Sequence, residues 1–367
     1  MRFTHETPAQ RVVFAAGRSP DAVAAEVEAL GGAKVMLIAS DREKELADPI
    51  AEKIPVVLRH EEVVMHVPVE VAERARRAAA DAGADILVSV GGGSTTGLAK
   101  AVALTTGLPI VAVPTTYAGS EATDVWGLTE GETKTTGVDK KVLPASVVYD
   151  AGLLTTLPGD LTVASGLNAM AHCVDSMWGP RADPIDRALA QEGIRALATG
   201  LPAVADASTG IEGIEGIEGI EGIEGIEQTL YGAYLAAVAF ASAGSGLHHK
   251  ICHVLGGMFH LPHAQTHAVV LPHVLAFNAP HAPEAAARIA QALGSDSGPR
   301  GASAGLAALR EVLHAPRALR DYGMPEDGIA KALAPIIKAV PANNPAPVTE
   351  DNLTALLKAA WAGEPLS

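Results

Sequence analysis

Two cysteines in 367 residues are too few and too far apart to frame a small secreted fold. Cys173 and Cys252 each stand beside a histidine, and this usage implies the reducing cytoplasm as the compartment. Aromatic residues are scarce at 4%, while alanine and glycine abound, a balance that suits closely packed helices and α/β crossovers. Positive charge is in deficit. With 27 Lys and Arg against 42 Asp and Glu, the net charge of −15 argues against a nucleic-acid surface. It leaves room for an anionic small molecule, because a local cationic pocket can oppose the global field. No run of about twenty apolar residues occurs, so no membrane partner is expected, and segment 231–243 reads as a buried helix. The first residues lack an apolar core followed by a small-residue cleavage site, so no secretory signal is expected. What remains, 48% hydrophobic and 19% charged, is an ordinary globular composition, long enough for two domains with a core each.

The first 150 residues alternate strand and helix patterns. Strands are expected at 12–14, 34–39, 85–90 and 109–113. Helices are expected at 21–30, capped by Ser19 with Pro20 in the first turn, at 69–82, and from Thr95 or Thr96 onward. Such alternation implies a parallel sheet covered by helices. Past Leu157-Pro158 the strand signals stop and alanine and leucine recur at helical spacing. The reading is therefore an α/β dinucleotide-binding domain at 1–158 and an all-helical domain at 159–367. One segment fits neither pattern. Residues 210–227 repeat Ile-Glu-Gly, and a glycine at every third position weakens a helix, so this tract reads as a disordered or expanded loop.

Chemistry gathers at two places. Gly91-Gly92-Gly93-Ser94 follows a strand and opens a helix, where glycines admit a pyrophosphate to the free N–H groups and dipole of the helix start. The spacing differs from G-x-G-x-x-G, and alone it fits a tight structural turn equally well. Pro114-Thr115-Thr116, leading to Gly119-Ser120, follows the next strand and so belongs at the same carboxyl edge, where hydroxyls of Thr115, Thr116 and Ser120 can reach ribose or phosphate. The second place lies in the helical half. Asn168 and His172 are four apart on one helix face, His249 and His253 repeat the spacing with Lys250 between them, and His263 follows Pro262. A carboxylate at 168 with His172, His249 and His263 would suit a divalent metal. Asparagine removes the anionic donor. Three histidines alone can still bind zinc, but a metal-free pocket for an anionic substrate is the preferred reading. His248, His260 and His267 read as structural.

These residues together resemble the iron-containing alcohol dehydrogenase superfamily, and within it most closely the maleylacetate reductases, over nearly the whole chain outside the Ile-Glu-Gly tract. The resemblance implies the dehydroquinate synthase-like fold, with an α/β cofactor domain, a helical domain and an active site between them. It implies NADH or NADPH as cofactor, no bound metal, a dicarboxylate substrate and a homodimer. The activity implied is reduction of the conjugated C=C bond of maleylacetate to 3-oxoadipate in aromatic-compound breakdown. His172 and His253 are then the donor and proton source, with Asn168, His249, Lys250 and His263 around the substrate. The cofactor set is Ser40, Gly91, Gly92, Gly93, Ser94, Thr115, Thr116, Ser120 and Lys134. Gly97 stands where many members carry aspartate, and Ser40 or Asp41 where many place an acid on the adenine ribose. The rival readings are a metal-dependent alcohol or polyol dehydrogenase, a lyase of the dehydroquinate synthase type, and a non-catalytic cofactor-binding module.

Overall fold

The computed structural model describes residues 1–131, 133–209, 220–296, 298 and 300–365. The chain divides into an α/β unit, Thr7–Leu157, and a helical unit, Pro158–Ser367, which Met1–Glu6 joins. The first six residues thus leave the unit that sequence reading gave them. The cause is local: His5 Nδ1 lies 2.8 Å from Asp183 Oδ2.

The α/β unit runs β1 (Arg11–Phe14), α1 (Ser19–Ala29), β2 (Val35–Ile38), α2 (Lys44–Ala51), β3 (Val56–His60), α3 (Val69–Asp81), β4 (Ile86–Gly91), α4 (Gly93–Thr106), β5 (Ile110–Pro114), β6 (Val125–Glu130), β7 (Thr133–Val138) and β8 (Ser146–Tyr149). Six strands form a parallel sheet in the order β1-β8-β5-β4-β2-β3, and β6 pairs antiparallel with β7. β2, β4, β5 and β8 are buried throughout, as unbroken apolar runs covered on both faces should be. Val35, Leu37, Val88, Val111 and Val148 pack one face against α1 and α2 residues, and Met36, Leu87, Ile110 and Ala112 pack the other against α3 and α4 residues. β2 leads outward to β3. The chain then returns across β2 to β4, so the loops after β2 and β4 diverge from neighbouring strands at the topological switch where such sheets bind ligands. Two local expectations shift. α1 begins at Ser19, whose backbone N–H donates to Asp150 Oδ2 at 3.0 Å, and its side chain caps nothing. α4 begins at Gly93, two residues early, because the glycines are themselves its first turn.

The helical unit runs α5 (Gly159–Ser176), α6 (Pro184–Thr209), α7 (Ile220–Ala243), α8 (Leu247–Phe259), α9 (His263–Asn278), α10 (Pro283–Ala292), α11 (Gly301–Val312), α12 (Gly328–Ala339) and α13 (Glu350–Ala362). α5 is buried from Thr162 to Ser176 and packs on α6, α7 and α9, the position that a helix apolar on every side must take. α8, α9, α12 and α13 close a second core around Leu247, Ile251, Val270, Ile336 and Leu356. α6 starts on a reciprocal cap, with Asp183 Oδ1 accepting from Asp186 N–H at 3.0 Å and Asp186 Oδ2 accepting from Asp183 N–H at 3.1 Å. The Ile-Glu-Gly tract departs from the loop reading where it is described: Ile220–Glu227 is helical, the first turns of α7, and 210–219 lie outside the described residues. Glycine costs helix propensity, but here it lets two backbones approach. A Cβ on Gly225 would sit 2.9 Å from Ala203 Cβ, and one on Gly200 would sit 2.6 Å from Gly225 O. No single helix among the described residues is long and apolar enough to cross a membrane.

Candidate active site

In the α/β unit the glycine loop turns sharply out of β4. Gly91 has φ 151, a conformation side chains rarely adopt, and a Cβ there would meet Thr95 Oγ1 at 2.4 Å. Gly92 caps α4 with extended backbone and no side-chain cap, so the helix start is left to a ligand. Cβ atoms on Gly92 and Gly93 would come within 3.1 Å of Thr116 Cγ2 and 3.3 Å of Ala118 Cβ. Thr115 N–H donates to Gly91 O at 3.2 Å, which ties the threonine loop to the glycine loop. Ser120 starts a 3-10 turn after Gly119, at φ 76. Ser40 follows β2, its hydroxyl donating to Glu43 and accepting from Arg42 N–H at 3.3 Å. Glu43 is therefore a carboxylate held at the switch point that sequence reading missed. Lys134 lies in β7, and its side chain is outside the described residues. Gly97 faces Val67, whose Cγ2 lies 3.0 Å from a Cβ placed there.

In the helical unit the imidazoles converge. His172 of α5 stacks on His249 of α8 with centroids 5.0 Å apart, and Phe240 of α7 lies 4.8 Å from His172 and 4.1 Å from His249. His253 approaches His249 edge-on at 6.0 Å. His263 at the start of α9 lies 4.4 Å from His267, itself 4.8 Å from His249 and 4.9 Å from His248. His172, His249, His248 and His267 are buried, while His253 and His263 are exposed. Asn168, one turn before His172, is buried with its Oδ1 unpartnered, as are His172 Nδ1 and His249 Nε2. Lys250 is half-buried, and its charge acts on Asp175.

Asp175 organises this cluster. It is fully buried, and its Oδ2 accepts from Gly246 N–H at 2.8 Å and from His249 Nδ1–H at 2.7 Å. Desolvation pushes its carboxyl up to about 7, against the pull of the backbone donors of Gly246, His249 and His248 and the Lys250 charge. A carboxylate accepting Nδ1–H leaves the neutral His249 ring with a bare Nε2, so that atom carries a proton only when the ring is cationic. Burial lowers His172 to about 4, with the His253 charge adding to the effect. At neutral pH His172 is therefore a neutral ring with one N–H to donate. Asp175 was legible as the i,i+3 neighbour of His172, but His249 is 74 positions away in sequence. Phe240, within an apolar run, gave no signal.

Residues 9–151 match the iron-containing alcohol dehydrogenase family, and residues 162–361 match the C-terminal part of the Fe-containing alcohol dehydrogenase family. The chain belongs to the iron-containing alcohol dehydrogenase family, and it is an oxidoreductase. It is 45% identical to maleylacetate reductase 2 of Cupriavidus pinatubonensis, over 96% of this chain and 95% of that one. It is 43% identical to the maleylacetate reductase of Sphingobium indicum, over 100% of this chain and 99% of that one. Among solved structures, the iron-containing alcohol dehydrogenase from Corynebacterium glutamicum superposes with a TM-score of 0.93 at 59% identity, over 99% of this chain and 98% of that one. The maleylacetate reductase from Agrobacterium tumefaciens superposes with a TM-score of 0.89 at 38% identity, over 99% of each chain.

The two groups that this family brings to mind fare differently. A nicotinamide dinucleotide fits, because the loop excludes a Cβ at Gly91, leaves little room for one at Gly92 and Gly93, and opens a helix start with no side-chain cap. Iron at the 168/172/249/263 position does not fit well. Asn168 offers a neutral amide where a divalent cation needs an anion. Moreover, among the described residues, the donor atoms that come mutually within 4.8 Å are those of His248, Cys252 and His267 and of His5, Asp183 and Asp186, not those of His172, His249 and His263.

Proposed function

We propose that the protein reduces the conjugated double bond of maleylacetate to give 3-oxoadipate, with NADH or NADPH and with no metal ion taking part in the reaction. The observation that carries this reading is Asn168, a neutral amide in a histidine pocket, in a chain similar end to end to maleylacetate reductases. A simple alcohol or aldehyde needs a Lewis acid on its oxygen. A conjugated enone spreads its developing charge, and a fixed carboxylate at 168 would repel a dianion.

When bound, the reduced nicotinamide supplies a hydride. The residues supply the rest. Charge that develops on the ketone oxygen is met by the N–H of neutral His172, since preorganised donors in a dry site are the largest catalytic contribution. His253, exposed at the edge of the cluster, delivers the proton to the α carbon. His249 binds a substrate carboxylate as a cation, with Asp175 bearing the compensating charge, so dicarboxylate binding draws in a proton. Asn168, Lys250 and His263 complete the anion site. Glu43, held by Ser40 at the end of β2, disfavours a 2′-phosphate and so favours NADH over NADPH. β1 is an edge of the sheet with Phe14 exposed, which leaves a strand for a second copy to pair with in a homodimer. Two buried free cysteines suit a cytoplasmic setting.

The experiment is a spectrophotometric assay of NADH with freshly made maleylacetate in excess chelator. Stoichiometric NADH oxidation, undiminished by the chelator, is expected. The 59% identical neighbour named an iron-containing alcohol dehydrogenase supports the rival, metal-dependent alcohol oxidation. Failure to oxidise NADH with maleylacetate, together with oxidation of a simple alcohol that depends on added iron, would establish that rival.

A further inference from the structure

Directly behind the proposed catalytic imidazoles lies a second set of donors that the reaction does not use. On α8, His248 and Cys252 are four apart on the face next to that of His249 and His253. Across from them, His267 is one turn beyond His263 on α9. His248 Nε2 lies 2.9 Å from His267 Nδ1, and Cys252 Sγ lies 3.6 Å from His248 Nε2. All three residues are buried, at 0%, 3% and 0% exposure.

We propose that His248, Cys252 and His267 form a binding site for a zinc-type divalent cation that staples α8 to α9, separate from the position where the family name leads one to expect iron. Two imidazole nitrogens and a thiolate are the donor types such a cation prefers. Tetrahedral zinc, with nitrogens at about 2.0–2.1 Å and sulfur at about 2.3 Å, sets its nitrogens about 3.3 Å apart and nitrogen and sulfur about 3.6 Å apart. The sulfur already stands at that distance from His248 Nε2, and the three donors lie within 4.8 Å of one another. The two rings need to open by only a few tenths of an ångström.

Charge balance is the second, independent indication. Asp175 is buried, its Oδ1 has no hydrogen-bond partner, and its charge reaches Cys252. With no substrate bound the His249 ring is neutral, so the Asp175 carboxylate is left to balance a divalent cation together with the Cys252 thiolate. Binding breaks the His248–His267 hydrogen bond: the proton held there moves to the outer nitrogen of its own ring, His248 Nδ1 or His267 Nε2, neither of which has a partner, and the Cys252 thiol proton leaves to solvent. Without the cation, the same contact is a hydrogen bond between two neutral rings. The site does not depend on the proposed reaction, and its test does not use turnover.

The test is titration of the chelator-stripped full chain with Co2+, read by absorption. One equivalent is expected, with a near-ultraviolet thiolate-to-cobalt band that Zn2+ abolishes by displacement. The band persists in Cys173→Ser and vanishes in Cys252→Ser, and His267→Gln weakens cobalt binding by about tenfold or more. Absence of the thiolate band in the unmodified protein overturns the proposal, whatever the folding of the variants. Cobalt bound without that band and lost in His172→Ala or His263→Ala also overturns it, by placing the cation at the other position.

Discussion

Asp175 holds His249 through one 2.7 Å contact, and that contact fixes which ring nitrogen faces the pocket. Asp175→Asn keeps the shape but removes the charge that supports a cationic ring. Its kcat should fall about 10- to 100-fold, the usual cost of losing a residue that orients an imidazole. The circular dichroism spectrum should stay unchanged; a variant with full kcat would show that His249 needs no such support. Asn168 is the other decisive residue. Its Oδ1 is buried and unpartnered, so Asn168→Asp places a desolvated charge among imidazoles. That variant should bind Fe2+ or Zn2+ more tightly in equilibrium dialysis and turn over maleylacetate more slowly. Full activity with no gain in metal would refute the explanation of Asn168 given above.

At the scale of elements, glycine has opposite uses in the two units. In the loop before α4 it lets the backbone run close to Thr95, Thr116 and Ala118 and start a helix with no side-chain cap. Gly92→Val pushes a side chain against Thr116 and should raise KM for NADH about tenfold, or about 1.4 kcal/mol, with little change in kcat. Between α6 and α7 it clears space for a neighbouring helix. Gly200→Val drives a Cβ toward Gly225 O, 2.6 Å away, and should cost about 1–3 kcal/mol, lowering Tm without altering KM. The sequence made the first use legible, since three glycines at a strand–helix junction carry their own reason. It hid the second. A three-residue period looks hostile to a helix when only propensity is considered, but over Ile220–Glu227 the close approach of Gly225 to α6 and the burial of Ile226 outweigh the cost. The antiparallel β6–β7 pair and edge strand β3 were missed for a similar reason, because their half-exposed residues give no unbroken apolar run.

For the whole molecule, buried imidazoles set the response to acid. His172 and His273 are lowered to about 4, chiefly by desolvation, and His248, His249 and His267 are shifted the same way. As pH falls below 6.5 the unfolded chain takes up protons that these folded rings refuse. Stability is therefore full above that pH and declines down to about 4. At pH 5 the loss is about 2 kcal/mol for a ring lowered to about 4. Asp175 works in the opposite sense: its folded carboxyl, raised to about 7, keeps a proton that the unfolded chain has already released, so its contribution falls as pH rises toward 7. Five rings outweigh one carboxyl. The urea midpoint of the metal-free protein should drop clearly between pH 7.5 and pH 5, and a flat profile would mean the rings are hydrated in solution.

What depends on neighbours a few positions apart is legible along the chain: the alternation of apolar strands and helices, the glycine-lined helix start, and histidines four apart on one face. These follow from the helix and strand periods, which any chain obeys locally. The chemical state of those groups comes from folding. Folding set Asp175 against a histidine 74 positions on, dried His172 into neutrality, and brought His248 and Cys252 up to His267. Protonation and ligand geometry depend on burial and on partners distant in the chain, and no local period encodes either.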